Sequence, residues 1–475
     1  MLLIVYVSLN VIQSNTIQNN RLGQGVPCTS LGMRPALIFV DLQNDFLHPD
    51  FFLGKTRADF TTTHPHLLSN LHSSVISFRR RQLPIVWIRS EYRAVDNPLP
   101  PKHLTRPDGD KYLNVPLNNA HLAGSHHGSK RICYPGSPGA EFHPEIQRLI
   151  RPNDTVITKT YYSSFTDTAL HQTLQTLNVD TLFFAGVTAT TCVRATVTDA
   201  FFLDYSVTVI KSAVAPTSSP ASTSALEAIS THYGSLIHHR DLDEALFDAS
   251  LPTLYYVNGS IPSWRVQLLL AEKRIAYNPR RLRVMTNPKE TRLPAFAAIN
   301  PRCKTPTLVD SDGTIVIESI AILQYLEAYY PNPFTPCTKD KAKYAKCIQR
   351  VQESENLHNV CEGLEYLFLE DHSAYEREIV ESFEGTMREL KFWETYTREH
   401  EYVAGDAFTV ADCALWPVLG YLEHRGLTLE GDEWLGLRAY AERINAKTSE
   451  SEAKPFGWQT KGKVSLFHGA MQIQR

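Results

Sequence analysis

The stretch GVTATTCVRATVTDAFFLDY, residues 186–205, decides the fold of the first half of the chain. It closes the run TLFFAGV (181–187), which carries no charge and whose length and bounding turn predict a fully buried strand. It then opens a segment in which Ala195, Ala200, Phe201 and Leu203 predict the buried face of a helix. A strand buried on both faces and followed at once by a helix belongs to a parallel sheet covered on both sides. Cys192 stands at the seam. A thiol there meets the free N–H groups and positive dipole end of the helix, which favour the thiolate. The same residue in an apolar stretch also fits inert packing, and the surrounding sequence has to decide between the two.

Outward from this stretch, ALIFVD, PIVWIR, DTVIT and SVTVI repeat the strand pattern, and HPHLLSNLHSSVISFRRR and TDTALHQTLQTLN lie between them with helical spacing. The alternation predicts an α/β domain with a doubly wound parallel sheet over residues 34–248. The polar stretch from about Arg93 to Pro138, rich in Pro, His and Gly, is too long for a tight connection and reads as a functional or disordered loop. In such a sheet, ligands bind outside the carboxyl ends of the strands. Asp41, Lys159 and Cys192 all stand at such ends. Taken singly they read as a helix cap, a solvated charge and packing. Taken together they read as a base, a cation and a nucleophile: the carboxylate accepts the thiol proton and the ammonium favours the thiolate.

Three blocks, ALIFVDLQNDF, YPGSPGAEFHPEI with DTVITKTYYSSF, and FFAGVTATTCVRATVTDAFFLDYSVTVIKSAVA, follow one another in an order that resembles the isochorismatase-like cysteine hydrolases over residues 34–248. The resemblance implies Asp41, Lys159 and Cys192 as catalytic residues and a cis peptide between Val187 and Thr188. It further implies an oxyanion held by backbone N–H groups of the 188–192 turn, and hydrolysis of an amide, carbamoyl or ureido bond through a thioester. The DWHP-like metal block of the nicotinamidases is absent, and His126 and His127 in GSHHGSK are adjacent, a poor ligand spacing, so no metal is expected.

A break follows at FDASLPTLYY. A strand TLYYV, a helix SWRVQLLLAEK, two short strands TPTLVD and TIVI and a helix SIAILQYLEAYY then predict a thioredoxin-like domain over 252–331. Helical periodicity alone continues through 338–447, and Thr409 with Asp412 forms a structural capping box there. Residues 448–475 read as a loose polar tail. Residues 1–33 read as an extension without fixed structure. Their opening MLLIVYVSLNVIQSNT lacks the basic region and cleavage site of a secretory signal. Glu318 and Ser319 precede a helix, whose free N–H groups attract an anion; the plainer reading makes Ser319 the N-cap and Glu318 a favourable first-turn charge.

INPRCKTPTLVDSDGTIVIESIAILQYLEAYYP and YVAGDAFTVADCALWPVL resemble the soluble glutathione transferases over 252–447, and GSIPSWRVQLLLAEK is nearest to the zeta class. The resemblance implies glutathione as co-substrate, its glutamyl end held by Glu318 and Ser319 and its cysteinyl backbone by Thr305, with Pro306 cis. The serine-rich turn before WRV would support the thiolate, through Ser260 first and Ser263 second. Ile261, Pro262 and Cys303 depart from the zeta pattern and leave Tyr255 or Tyr256 as alternatives.

Composition excludes other classes. A net charge of -3 and a mean hydropathy of -0.24 give no electrostatic case for nucleic acid or an acidic membrane, and no run is long enough to span a bilayer. Eight cysteines without a CxxC pair read as reduced thiols of a cytoplasmic protein. The combined expectation is a bifunctional enzyme of small-molecule metabolism, in detoxification or secondary metabolism, that forms a homodimer or higher homo-oligomer. The alternative makes one half, most readily the transferase half, a glutathione-binding or dimerisation module.

Overall fold

The computed structural model describes residues 34–51, 64–92, 102–105, 111–115, 132–215, 220–330, 340–455, 458 and 465–474. The readings that fall on residues 1–33, on His126 and His127, and on Cys28 and Cys337 lie outside them. The chain divides into two compact units between Asp248 and Ala249.

The first unit runs β1 (Pro35–Val40), α1 (Leu67–Arg79), β2 (Ile85–Ser90), β3 (Thr155–Lys159), α2 (Leu170–Thr176), β4 (Thr181–Val187), α3 (Cys192–Phe202), β5 (Ser206–Ala215), α4 (Pro220–His232) and β6 (Ser235–Ile237). Its strands are all parallel, in the order β3-β2-β1-β4-β5-β6. β1 and β4 bury every residue, because PALIFV and TLFFAGV present apolar groups to both faces. Each Val, Leu, Ile or Phe so buried contributes about 1.5–3 kcal/mol. Gly186, at φ +126°, lets these two strands close up: a Cβ there would lie 2.1 Å from Val40 O.

Three features differ from the sequence reading. The buried face of α3 is Val193, Thr196, Val197 and Ala200, while Phe201 and Leu203 are 43% and 38% exposed. With the helix starting at Cys192, the sheet-facing stripe falls at spacings of three and four from Val193, and Phe201 and Leu203 lie where it leaves the sheet. The stretch read as a loop contains an antiparallel ribbon, Lys102–Thr105 with Lys111–Val115. β6 is three residues long, too short to show a period.

The second unit begins β7 (Thr253–Tyr256), α5 (Ile261–Glu272), β8 (Asn278–Arg281), β9 (Thr307–Val309), β10 (Ile315–Ile317) and α6 (Ser319–Tyr329). The sheet order is β8-β7-β9-β10, with β8 parallel to β7, β9 antiparallel to β7 and β10 antiparallel to β9, a thioredoxin-like arrangement. The helical part follows as α7 (Lys341–Cys361), α8 (Glu376–Glu399), α9 (Val410–His424), α10 (Leu435–Asn445), α11 (Thr448–Ala453) and α12 (Leu466–Gln474). α9 is the central helix, buried from Val410 to Leu422. Its capping box is formed: Asp412 accepts the Thr409 N–H at 2.6 Å, and Thr409 Oγ1 accepts the Ala411 N–H at 3.2 Å. Burial outweighs the bonds Asp412 accepts and pushes its carboxyl up to about 6.

The reading of 448–475 as a loose tail is corrected. Ser449 donates to Glu272 at 2.5 Å, and Lys447 pairs with the same carboxylate at 3.1 Å, so α11 is held on α5. Leu466, Phe467 and Ala470 are buried in the helical core, with Phe467 edge-on to Phe383. These three residues form one short stripe, too brief to stand out from the polar residues around it.

Candidate active sites

The chain order of the first sheet reverses between β1 and β4, and the carboxyl ends of β3, β2, β1 and β4 therefore stand side by side at a switch point. They deliver Lys159, Ser90, Asp41 and the turn leading to Cys192. Lys159 Nζ lies 2.9 Å from Asp41 Oδ2, and both side chains are fully buried. Ser90 joins them: Lys159 Nζ donates to Ser90 Oγ at 2.7 Å, and Ser90 Oγ donates to Asp41 Oδ1 at 3.0 Å. Lys159 also donates to Tyr161 O at 3.1 Å. Burial alone would depress the Lys159 ammonium, but Asp41 and then Cys192 outweigh it and hold its pKa above the usual lysine range. The ammonium form is the one present at neutral pH.

Cys192 begins α3 and is 4% exposed. Its thiol lies in the field of Asp41 and Lys159, and Tyr92 Oη lies 3.8 Å from its sulfur. Burial first and Asp41 second push the thiol up to about 12, against the opposing pull of Lys159 and Tyr92. The resting group is a neutral thiol beside a carboxylate able to take its proton. The Val187–Thr188 peptide ahead of it is cis. In the turn that follows, the Ala189 N–H is used by Ala215 O and the Thr191 N–H by Thr188 O. The N–H groups of Thr190 and Cys192 meet no acceptor among the described residues, which leaves this pair for an oxyanion.

In the second unit, strand register brings three segments to one end of the sheet. Tyr255 on β7 lies opposite Thr307 on β9, and Thr307 lies opposite Ile317 on β10. Ser260 after β7, Thr305 and Pro306 before β9, and Glu318 and Ser319 after β10 therefore share that end. The Thr305–Pro306 peptide is cis. Ser260 caps α5, its Oγ accepting the Ser263 N–H at 3.4 Å, which leaves its own proton to donate. Ser263 is fully buried and accepts the Val257 N–H at 3.3 Å. Tyr256 is buried and Tyr255 packs on Phe296; burial raises the Tyr255 pKa, so its hydroxyl stays neutral. The plain reading of Ser319 as N-cap is corrected: Glu318, at φ 69°, occupies that position without a side-chain cap, and Ser319 is the first helical residue. The N–H groups of Ser319, Ile320 and Ala321 meet no acceptor among the described residues, an arrangement suited to an anion.

The isochorismatase domain matches residues 35–241, and the N-terminal and C-terminal domains of glutathione S-transferase match residues 260–328 and 358–447. The chain carries an isochorismatase domain followed by the N- and C-terminal domains of the glutathione S-transferase family. Ureidoacrylate amidohydrolase RutB of Cronobacter turicensis is 28% identical to it over 221 residues, 46% of this chain and 90% of that protein. Glutathione S-transferase A of Pleuronectes platessa is 28% identical over 212 residues, 43% of this chain and 92% of that protein. A probable maleylacetoacetate isomerase of Caenorhabditis elegans is 30% identical over 173 residues, 35% of this chain and 77% of that protein.

In the isochorismatase half the sequence reading missed Ser90, Tyr92 and Gln43. Gln43 is buried and fixes the end of β2: its Nε2 donates to Ser90 O at 2.8 Å and to Ala140 O at 2.7 Å, and its Oε1 accepts the Ser90 N–H at 2.8 Å. Its place two residues after Asp41 was the available signal. Tyr92 offered none, since a single tyrosine past a strand end is common on loops. Among the described residues no group of three His, Cys, Asp or Glu side chains is placed to hold a metal ion, and no helix is long and apolar enough to cross a membrane.

Proposed function

We propose that the isochorismatase half hydrolyses an amide, carbamoyl or ureido bond of a small molecule through Cys192, and that the transferase half binds glutathione and activates its thiol through Ser260. The observation that carries the first part is the buried chain of contacts at the sheet's switch point that runs from Lys159 and Asp41 through Ser90 and Tyr92 to Cys192. As the sulfur bonds to the substrate carbonyl carbon, Asp41 accepts the thiol proton and the oxyanion meets the Thr190 and Cys192 N–H groups. Asp41 then passes the proton to the leaving nitrogen, the C–N bond breaks and a thioester remains. Water adds to the thioester with Asp41 taking its proton; the C–S bond breaks and the proton returns to sulfur. Lys159 keeps its charge throughout and offsets that of Asp41.

Tyr92 Oη accepts from Ser90 Oγ at 3.0 Å, which leaves its own proton for Cys192 Sγ, 3.8 Å away. Burial and the neighbouring Cys192 and Asp41 raise its pKa well above the usual tyrosine range, so it remains a donor at every working pH. Once the thiol gives up its proton, Tyr92 serves the sulfur. Because the Cys192 thiol is protonated up to about pH 12, its thiolate fraction grows with each unit of pH below that. Alkylation of Cys192 by iodoacetamide is therefore expected to rise about tenfold per pH unit between pH 7 and 9 without a plateau. Tyr92→Phe is expected to slow it by about tenfold at each pH, the loss of one hydrogen bond to a charged group. Unchanged alkylation in that variant assigns Tyr92 to packing alone.

In the transferase half, the anion-binding end at Ser319 suits a carboxylate, and the exposed Glu318 side chain suits the ammonium beside it in a glutamyl group. The whole proposal is tested by supplying the intact protein with a panel of ureido, carbamoyl and primary amides, with and without glutathione. Turnover within the panel at a rate indifferent to glutathione is expected, because Asp41, Lys159 and Cys192 precede Asp248 whereas Ser260, Thr305, Glu318 and Ser319 follow it. No turnover of any member overturns the hydrolase reading. A rate that depends strictly on glutathione overturns the independence of the two sites and makes a glutathione conjugate the substrate of Cys192.

A further inference from the structure

Asp45 follows Asp41 by four residues, on the short helix Asn44–Leu47, and is only 6% exposed. A carboxylate is seldom buried unless it is paired or hydrogen-bonded. Its Oδ2 accepts the Cys133 N–H at 2.7 Å, across 88 residues of chain. Cys133 is fully buried and holds φ +44°, in the left-handed region that a residue other than glycine keeps when its surroundings impose it. The carbonyl of the same residue accepts the Tyr92 N–H at 3.0 Å. Tyr92 Oη in turn lies 3.8 Å from Cys192 Sγ. Cys133 therefore connects a buried carboxylate to the backbone of the tyrosine that faces the sulfur.

The carboxylate is itself fixed. Gly139 backs onto it, and a Cβ at that position would collide with both of its oxygens. The segment that carries Gly139 is pinned on both sides: Asn44 Nδ2 donates to Pro138 O at 2.9 Å, Gln43 Nε2 to Ala140 O at 2.7 Å, and the Asn44 N–H to Glu141 O at 2.8 Å. Gln43 also holds the N–H and the carbonyl of Ser90. The residues two and four places past Asp41 thus fasten both ends of the segment 90–92, Gln43 at Ser90 and Asp45, through Cys133, at Tyr92.

We propose that Asp45 is a positioning residue for Cys192, acting through Cys133 to aim the Tyr92 hydroxyl at the sulfur. The inference rests on Tyr92 as the donor that serves the thiolate, and carries the site one step further out. Without the acceptor at Asp45, the Cys133 peptide is free to leave its left-handed conformation, and the Tyr92 backbone moves with it. A hydrogen bond to a charged sulfur weakens steeply as its angle and distance drift.

The test is the rate of Cys192 alkylation by iodoacetamide at one fixed pH, read at that residue by mass spectrometry in the intact protein. Asp45→Ala is expected to slow it by about tenfold, as Tyr92→Phe does, and the double variant to be no slower than Tyr92→Phe alone. Gly139→Ala, which keeps the carboxylate but drives it aside, is expected to give the same loss and the same lack of additivity. Asp45→Asn, whose carbonyl oxygen can accept the Cys133 N–H, is expected to keep the rate within about threefold of wild type. Losses that multiply in the double variants overturn the proposal, because they make Asp45 a support of the fold that acts apart from Tyr92. So does a wild-type rate in both Asp45→Ala and Gly139→Ala. If Asp45→Ala does not fold, Gly139→Ala with and without Tyr92→Phe decides by the same comparison. Alkylation needs no substrate, so a panel without turnover overturns the hydrolase reading and leaves this result standing. Unchanged alkylation in Tyr92→Phe removes the donor first and this inference with it.

Discussion

Cys192→Ser is expected to lower amide hydrolysis by about 10⁴-fold or more while leaving the fold and glutathione binding unchanged. Oxygen replaces sulfur in a site that is 4% exposed, with no added volume and no change to the Lys159–Asp41 pair. Asp41 is a sufficient base for a thiol whose proton is lost in concert with attack, but a serine hydroxyl is a much weaker acid and a poorer leaving group from the intermediate. The measurement is kcat on whichever panel member the wild type turns over, together with circular dichroism and retention on immobilised glutathione. Turnover within about tenfold of wild type would sink Cys192 as the nucleophile. A large fall in turnover accompanied by loss of the folded signal would also count against the assignment, since it would make Cys192 a packing residue.

Replacing both Glu318 and Ser319 with Ala is expected to weaken glutathione binding by about 30- to 1000-fold, the loss of a charge-assisted bond and of a hydroxyl at an anion-binding helix end. The backbone N–H groups of Ser319, Ile320 and Ala321 survive the change, so binding falls without vanishing. Glu318 holds φ 69° in the wild type, and Ala there bears similar backbone strain, which keeps the comparison to the lost side chains. Titration with glutathione reads the effect, and the hydrolase rate provides the control, because it is expected not to move. Undiminished affinity would remove both residues from the site.

Much of the architecture was legible from local pattern. PALIFV and TLFFAGV are apolar on both faces, and their short length together with the helical segments between the runs pointed to central strands of a parallel sheet. The positions of Asp41, Lys159 and Cys192 at strand ends followed from those runs, and the Thr409–Asp412 cap from its spacing. The face of α3 was misread because helical phase depends on where the helix starts, which the turn at Thr188–Thr191 sets and the apolar pattern does not. The C-terminal helices were missed because their few buried residues gain their meaning from α5 and α8, far back in the chain.

The sequence by itself determined the main strands and helices of each unit and which strand ends carry ionisable groups, since these are properties of a residue and its near neighbours. The tertiary structure alone decided the rest. Ser90 bridges Lys159 and Asp41 across separations of 69 and 49 residues, Tyr92 reaches Cys192 across 100, and Trp458 covers Gly259 from the other end of its unit. Such contacts arise from strand order and helix docking, and a pairing set by sheet topology leaves no periodicity in the residues that make it. The same packing that buries Cys192 pushes its thiol up to about 12, a state that depends on the assembled neighbours.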